Sequence, residues 1–149
     1  FEDYETIKYQ VQEMLRIEKI FKENDIQDEI DAYQSLIPDG NNLKATMLIM
    51  YTDVNERKIM LNKLCDLENR VWISINKSKK IFAVSDEDLE RSREEKTSAV
   101  HFLRFQLSDT DVKSFKEIDD IIIGIDHEEY NHEAKLQRDT ASSLAKDLG

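Results

Sequence analysis

All three histidines of this chain, His101, His127 and His132, stand in its last third, each in or just after a strand-like segment. Imidazole changes charge near neutral pH and ligates zinc, iron and nickel, so acid–base or metal chemistry would run through these residues. The densest group is GIDHEEYNHE, Gly124 to Glu133, where Asp126, His127, Glu128, Glu129, His132 and Glu133 crowd within eight positions. Glu129 and His132 have the Glu-x-x-His spacing that places both on one helical face, as in carboxylate-bridged di-iron bundles. Such bundles need two of these pairs and two further glutamates, and this chain has one pair. His127 and His132, five apart, miss a shared helical face but can meet across a turn. Glu18 is the other notable carboxylate: positions 4, 7, 11, 14, 18 and 21 form one stripe at the helical period, with apolar side chains flanking Glu18. A carboxylate there needs a partner, a proton or a metal. A metal site would thus draw on His101, His127, His132, Glu129 and Glu18, with zinc or iron as the ion. The competing readings are plain ones: a solvated acidic loop at 124–133, and a first helix rolled toward Ile17 and Ile20.

Catalytic residues are not defined by the sequence, which holds no paired cysteine motif, glycine-rich phosphate loop or nucleophile turn. His101 and Arg104 lie three apart in AVHFLRFQL, so a strand puts them on opposite faces, one toward solvent and the other toward a carboxylate across the sheet. Cys65, beside Leu64 on an apolar-rich helix, reads as a core thiol. Lys77, Lys79 and Lys80 read as solvated turn residues, and Trp72 as core.

Composition limits the partners. Of 149 residues, 40% are hydrophobic and 36% charged, with a formal net charge of -11. So acidic a surface repels phosphate backbones and anionic membranes, which argues against nucleic acid and leaves small molecules, cations or a basic protein patch. No apolar run approaches the roughly 20 residues that cross a bilayer. A lone cysteine precludes an internal disulfide and fits a reducing, cytoplasmic setting. The length suits one domain, 1–149, and the opening FEDYETIKYQ, without a Met, reads as N-terminally incomplete.

The elements that would position these residues follow from periodicity. Asp3 to Glu23 predicts a long amphipathic helix, and Asn24-Asp25 opens a second that carries Ile26, Ile30, Tyr33 and Ile37. Leu43–Tyr51 predicts a strand after the Pro38-Asp39-Gly40 turn. A helix capped at Asp53 runs to about Leu67, with Ile59, Met60, Leu64 and Leu67 inward. Val71–Asn76 and Ile81–Val84 predict a hairpin. Asp86–Lys96 is almost wholly charged and reads as a solvated helix or mobile excursion. Ala99–Leu107 and Ile121–Ile125 are further strands, separated by a short helix capped near Ser108, and TASSLAKDL closes the chain as a helix. Strands do not alternate strictly with helices, so the expected class is α+β: a mainly antiparallel sheet of about five strands, an N-terminal helical pair and short helices packed on the sheet.

Four strings carry a resemblance: YQVQEMLRIEKIF (Tyr9 to Phe21), LIPDGNNLKATML (Leu36 to Leu48), EEKTSAVHFLRFQL (Glu94 to Leu107) and IGIDHEEY (Ile123 to Tyr130). In order and through most of the chain, they resemble an uncharacterised bacterial domain-of-unknown-function family. Members often have Pro after the GIDH string, where this chain has Glu128. The resemblance implies no residue roles. It does imply a setting, because such proteins are often encoded near rubrerythrin-like proteins and iron–sulfur proteins related to heterodisulfide reductase.

The resulting expectation is a small soluble accessory protein of an iron or iron–sulfur, peroxide-handling system. It would dock a rubrerythrin-like or iron–sulfur protein partner through its acidic surface, carry no cofactor of its own and lean away from being an enzyme. The alternatives are a His/Glu metal-binding protein or metal-dependent enzyme with zinc or iron, and a structural subunit of a larger assembly.

Overall fold

The computed structural model describes residues 1–87, 97–117 and 120–149. The order is α1 (Tyr4–Glu18), α2 (Glu23–Gln34), β1 (Asn42–Leu48), α3 (Val54–Lys63), a 3-10 turn (Leu67–Arg70), β2 (Val71–Ile75), β3 (Ile81–Phe82), β4 (Val84–Ser85), β5 (Val100–Gln106), α4 (Asp109–Glu117), β6 (Ile121–His127), β7 (Tyr130–Lys135) and α5 (Arg138–Leu144). The fold is α+β, with an antiparallel three-stranded sheet, β1-β5-β4, and an antiparallel four-stranded sheet, β3-β2-β6-β7. Among the described residues no helix is long and apolar enough to cross a membrane.

The run expected as one strand at 81–84 is two. Ile81 and Phe82 pair with Ile73 and Trp72, and Val84 and Ser85 pair with Arg104 and Leu103. Buried Ala83 sits at the switch and donates its N–H to the Val71 carbonyl. One short stretch therefore joins the two sheets, and their inner faces share a core of Leu43, Ile73, Ile75, Leu103, Phe105 and Ile121. Phe115 of α4 and Leu144 of α5 pack on that core.

The N-terminal helical pair is present but shorter than expected. Asp3 and Thr6 form a reciprocal capping box, and Lys19 ends α1 in the left-handed conformation at φ 57°. Ile7 and Val11 bury near the start of α1, whereas α2 buries no residue. The stripe thus loses its cover toward the C-terminal end of α1, and Glu18 is exposed. On α3, Asp53 caps the N–H groups of Asn55 and Glu56. Leu64 and Leu67 turn inward as expected, but Ile59 points to solvent. The segment 88–96 within the expected Asp86–Lys96 excursion lies outside the described residues.

Candidate functional site

β5 alternates strictly: His101, Leu103 and Phe105 are buried on the core side, while Arg104 and Phe102 lie on the other. His101 is fully buried among the inward positions of an otherwise apolar strand face. A polar ring there must satisfy both nitrogens from within the protein. Nδ1 donates to Oδ2 of Asp86 at 2.5 Å, since a carboxylate only accepts. Nε2 lies 2.8 Å from Oγ1 of Thr97, 3.0 Å from the Ser98 carbonyl and 3.8 Å from Oε2 of Glu68. Thr97 in turn donates its hydroxyl to Oε2 of Glu68 at 3.0 Å.

Three separate pieces of chain deliver these groups. Asp66, left-handed at φ 72°, breaks the chain after α3 and accepts from Asn69 and Arg70, which shapes the 3-10 turn and buries Leu67 and Glu68. Ser85 of β4 donates to the Asn69 side chain at 2.7 Å, so the turn and the strand arrive together. Asp86 ends β4 by bonding Phe102 twice: its N–H donates to the Phe102 carbonyl, and its Oδ1 accepts the Phe102 N–H. The carboxylate thus imitates the next residue of the ladder and turns its second oxygen onto His101. Thr97 is anchored to α3 through its N–H to the Leu61 carbonyl.

Glu68 is 3% exposed and the Asp86 side chain 7%. Two buried carboxylates this close favour a positive charge between them. One ligand atom from each of Glu68, Asp86 and His101 lies within 4.8 Å of the others, and this is the one such histidine–carboxylate group among the described residues. Asp86, His101 and Thr97 also have the order of a carboxylate–imidazole–hydroxyl relay. Thr97, however, is 1% exposed and its hydroxyl proton goes to Glu68, so no substrate carbonyl can approach its oxygen.

The remaining expected ligands lie elsewhere. His127 donates Nε2–H to the Cys65 carbonyl at 2.9 Å and accepts the Glu129 N–H on Nδ1, so both nitrogens are engaged in holding a turn. His132 lies on β7 and meets Tyr130 edge-on, with centroids 4.7 Å apart. Glu129 occupies the β6–β7 turn near Lys63, at 3.9 Å, so the Glu-x-x-His spacing spans a hairpin and not a helix. Arg104 makes a bidentate pair with Glu87, whose carboxyl it holds below the ordinary value. Glu68 and Asp86 were not singled out in the sequence. Glu68 had one available signal, its place between apolar Leu67 and Val71, whereas Asp86 is hidden at the head of a charged run.

The family model described as "Protein of unknown function (DUF3501)" matches residues 1–148. Among solved structures, the chain is similar to the crystal structure of a protein of unknown function from Burkholderia pseudomallei K96243. The two are 49% identical with a TM-score of 0.93, over 100% of this chain and 78% of that one. No curated protein matches.

Proposed function

The chain belongs to the DUF3501 family, and from that premise we propose that it is a metal-binding protein in which His101 and Glu68 ligate one ion and Asp86 holds the His101 ring. The carrying observation is the convergence of three buried ligand-type side chains within 4.8 Å. Metal bonds to imidazole nitrogen and carboxylate oxygen run about 2.0–2.2 Å, so two ligands of one ion lie up to about 4.3 Å apart. The 3.8 Å between Nε2 of His101 and Oε2 of Glu68 falls inside that reach. Asp86 on Nδ1 orients the ring and presents Nε2 to the ion, as partner carboxylates of metal-bound histidines do, and binding would displace the contact that Nε2 makes with the Ser98 carbonyl. The Thr97 hydroxyl and Ser98 carbonyl add neutral oxygens on the same side. One imidazole with a carboxylate and neutral oxygens suits zinc, iron(II) or manganese(II).

The test is titration of chelator-treated full-length protein with each ion, iron(II) under anaerobic conditions. One equivalent should bind. At a hundred times Kd the expected stabilisation is about 2.7 kcal/mol, or about 5–10 °C in Tm. Glu68→Gln, which keeps the side-chain shape, should abolish the shift. Substoichiometric binding, or binding unchanged in Glu68→Gln and His101→Gln, would sink the reading.

A second reading is the accessory role in an iron or iron–sulfur redox system. It is favoured by the charge of -11 together with exposed Tyr9, Ile17 and Phe21 on and beyond α1. Here the protein would dock a rubrerythrin-like or iron–sulfur partner. Co-elution of the purified proteins at low salt, lost at high salt, is the expected outcome, and separate elution at low salt would dismiss it.

A further inference from the structure

The two joined sheets curl so that their outermost strands, β1 and β7, become opposite walls of one apolar groove. A cavity of about 370 Å³ lies between Ala45 and Met47 of β1 and His132 and Ala134 of β7. A second, of about 310 Å³, continues it past Met50 and Leu64 and shares Met47, Ile125 and Tyr130 with the first. Tyr130, His132 and Ala134 pair directly with His127, Ile125 and Ile123, so they stand on the core side of the sheet. They are nonetheless exposed, as is every residue of β7.

The edge itself is open. The Leu136 N–H bonds the Ile121 carbonyl, which fixes the alternation: even-numbered residues of β7 bond β6 and odd-numbered ones point away. Asn131, Glu133 and Lys135 therefore aim their N–H and C=O groups across the groove, and β7 ends its sheet without another strand among the described residues. β1 meets Glu2 at Lys44, and the stretch beyond it has no strand on that side among the described residues.

We propose that this groove takes an extended peptide segment of a partner protein, added as a strand alongside β7. A peptide answers both features, a ladder of backbone groups without a strand partner among the described residues and the apolar floor, because strand addition places alternate side chains on one face. Inward positions of the segment would be apolar and small enough for Ala45 and Ala134. Its net charge would be positive, because the chain carries a charge of -11 and, at the hairpin, Glu128, Glu129 and Glu133 outnumber Lys63 and Lys135.

The test is selection of a phage-displayed random dodecapeptide library on the full-length protein, followed by amide exchange with the synthesised consensus peptide. Alternating apolar and basic residues should be enriched, and the bound peptide should slow exchange at Asn131, Glu133 and Lys135 at least tenfold. Ala134→Arg, at an exposed position, should keep the Tm and weaken binding at least tenfold. N-methylation of alternate peptide amides should abolish it. Any of these outcomes overturns the proposal: no enrichment, protection at other residues, equal binding of the N-methylated peptide, or a dimer whose β7 amides are already protected. Uptake of decanoate in the groove with no peptide bound would also overturn it, in favour of a small apolar ligand.

Discussion

Gly124 lies beneath the indole of its cross-strand partner Trp72 so closely that a β-carbon at 124 would fall 2.3 Å from Cζ2 of the ring. No side chain fits that space, and the glycine is what lets a tryptophan lie flat on β6. Lys80 completes the stack, its Nζ 4.3 Å above the ring while it also bonds Asp126 at 2.6 Å. Gly124→Ala should cost about 1–3 kcal/mol, the usual range for forced overpacking. Urea denaturation measures it, and Trp72→Leu in the same chain should recover part of the loss. A neutral Gly124→Ala would mean that the indole moves freely.

The buried cluster separates the three histidines by function. His101→Gln should abolish the metal-dependent rise in Tm, and His127→Ala and His132→Ala should leave it intact, because neither ring approaches Glu68 or Asp86 as a third ligand. Removing the ring altogether, His101→Ala, should cost about 2–5 kcal/mol, since it opens a cavity on the buried face of β5 and removes a hydrogen-bond partner of Asp86. Thermal scans with and without zinc across the four variants check this. A loss of the metal response in His127→Ala would return the site to the β6–β7 hairpin.

The sheet was legible because alternation and β-branching mark strands locally: Val71–Ile75, Val100–Gln106 and Ile121–His127 all lie where the pattern puts them. β7 was not, because YNHEAK holds Ala134 as its one aliphatic residue and reads as an acidic ligand cluster. The same feature that hid the strand, an open and uncovered inner face, is what makes it an edge. His101 was legible as a chemical residue, but its partners were not. Glu68 and Asp86 reach it across 33 and 15 positions of chain through a 3-10 turn and a strand end, and no local periodicity encodes such a meeting. Glu18 is the opposite case: the helical stripe is real, but full burial along it ends at Val11, and Glu18 is exposed.

Stability should fall on the acid side, with a traceable set of carboxylates behind it. Ser108 holds Asp111 below the ordinary aspartate value, and Arg104, Lys135 and Lys80 do the same for Glu87, Asp120 and Asp126. A depressed folded pKa gives stability that is whole above the unfolded value, about 3.9 for Asp and 4.3 for Glu, and is lost as pH falls through the folded values. Asp147 runs the other way. Desolvation raises its pKa, so the folded state binds its proton more tightly and stability declines as pH rises from about 3.9 through the raised value. Urea midpoints from pH 7 to 3 should drop below pH 5, Asp111→Asn should flatten the drop, and Asp147→Asn should be more stable than the parent at pH 7 alone. An acid limb unchanged in Asp111→Asn would remove that residue from the set.

His127 ties the β6–β7 hairpin to the end of α3. Its Nε2–H reaches the Cys65 carbonyl and its Nδ1 takes the Glu129 N–H, so one neutral ring closes the turn and docks it. His127→Ala should cost about 1 kcal/mol, the net worth of a typical hydrogen bond, because the freed partners at this turn can be met by water. The effect should be local. Exchange of the Glu129 amide should quicken several-fold, while amides in the centre of β2 keep their protection. His127→Gln, with both a donor and an acceptor on its amide, should recover part of the difference. Equal exchange at Glu129 in the parent and in His127→Ala would show that the turn holds its shape without the ring.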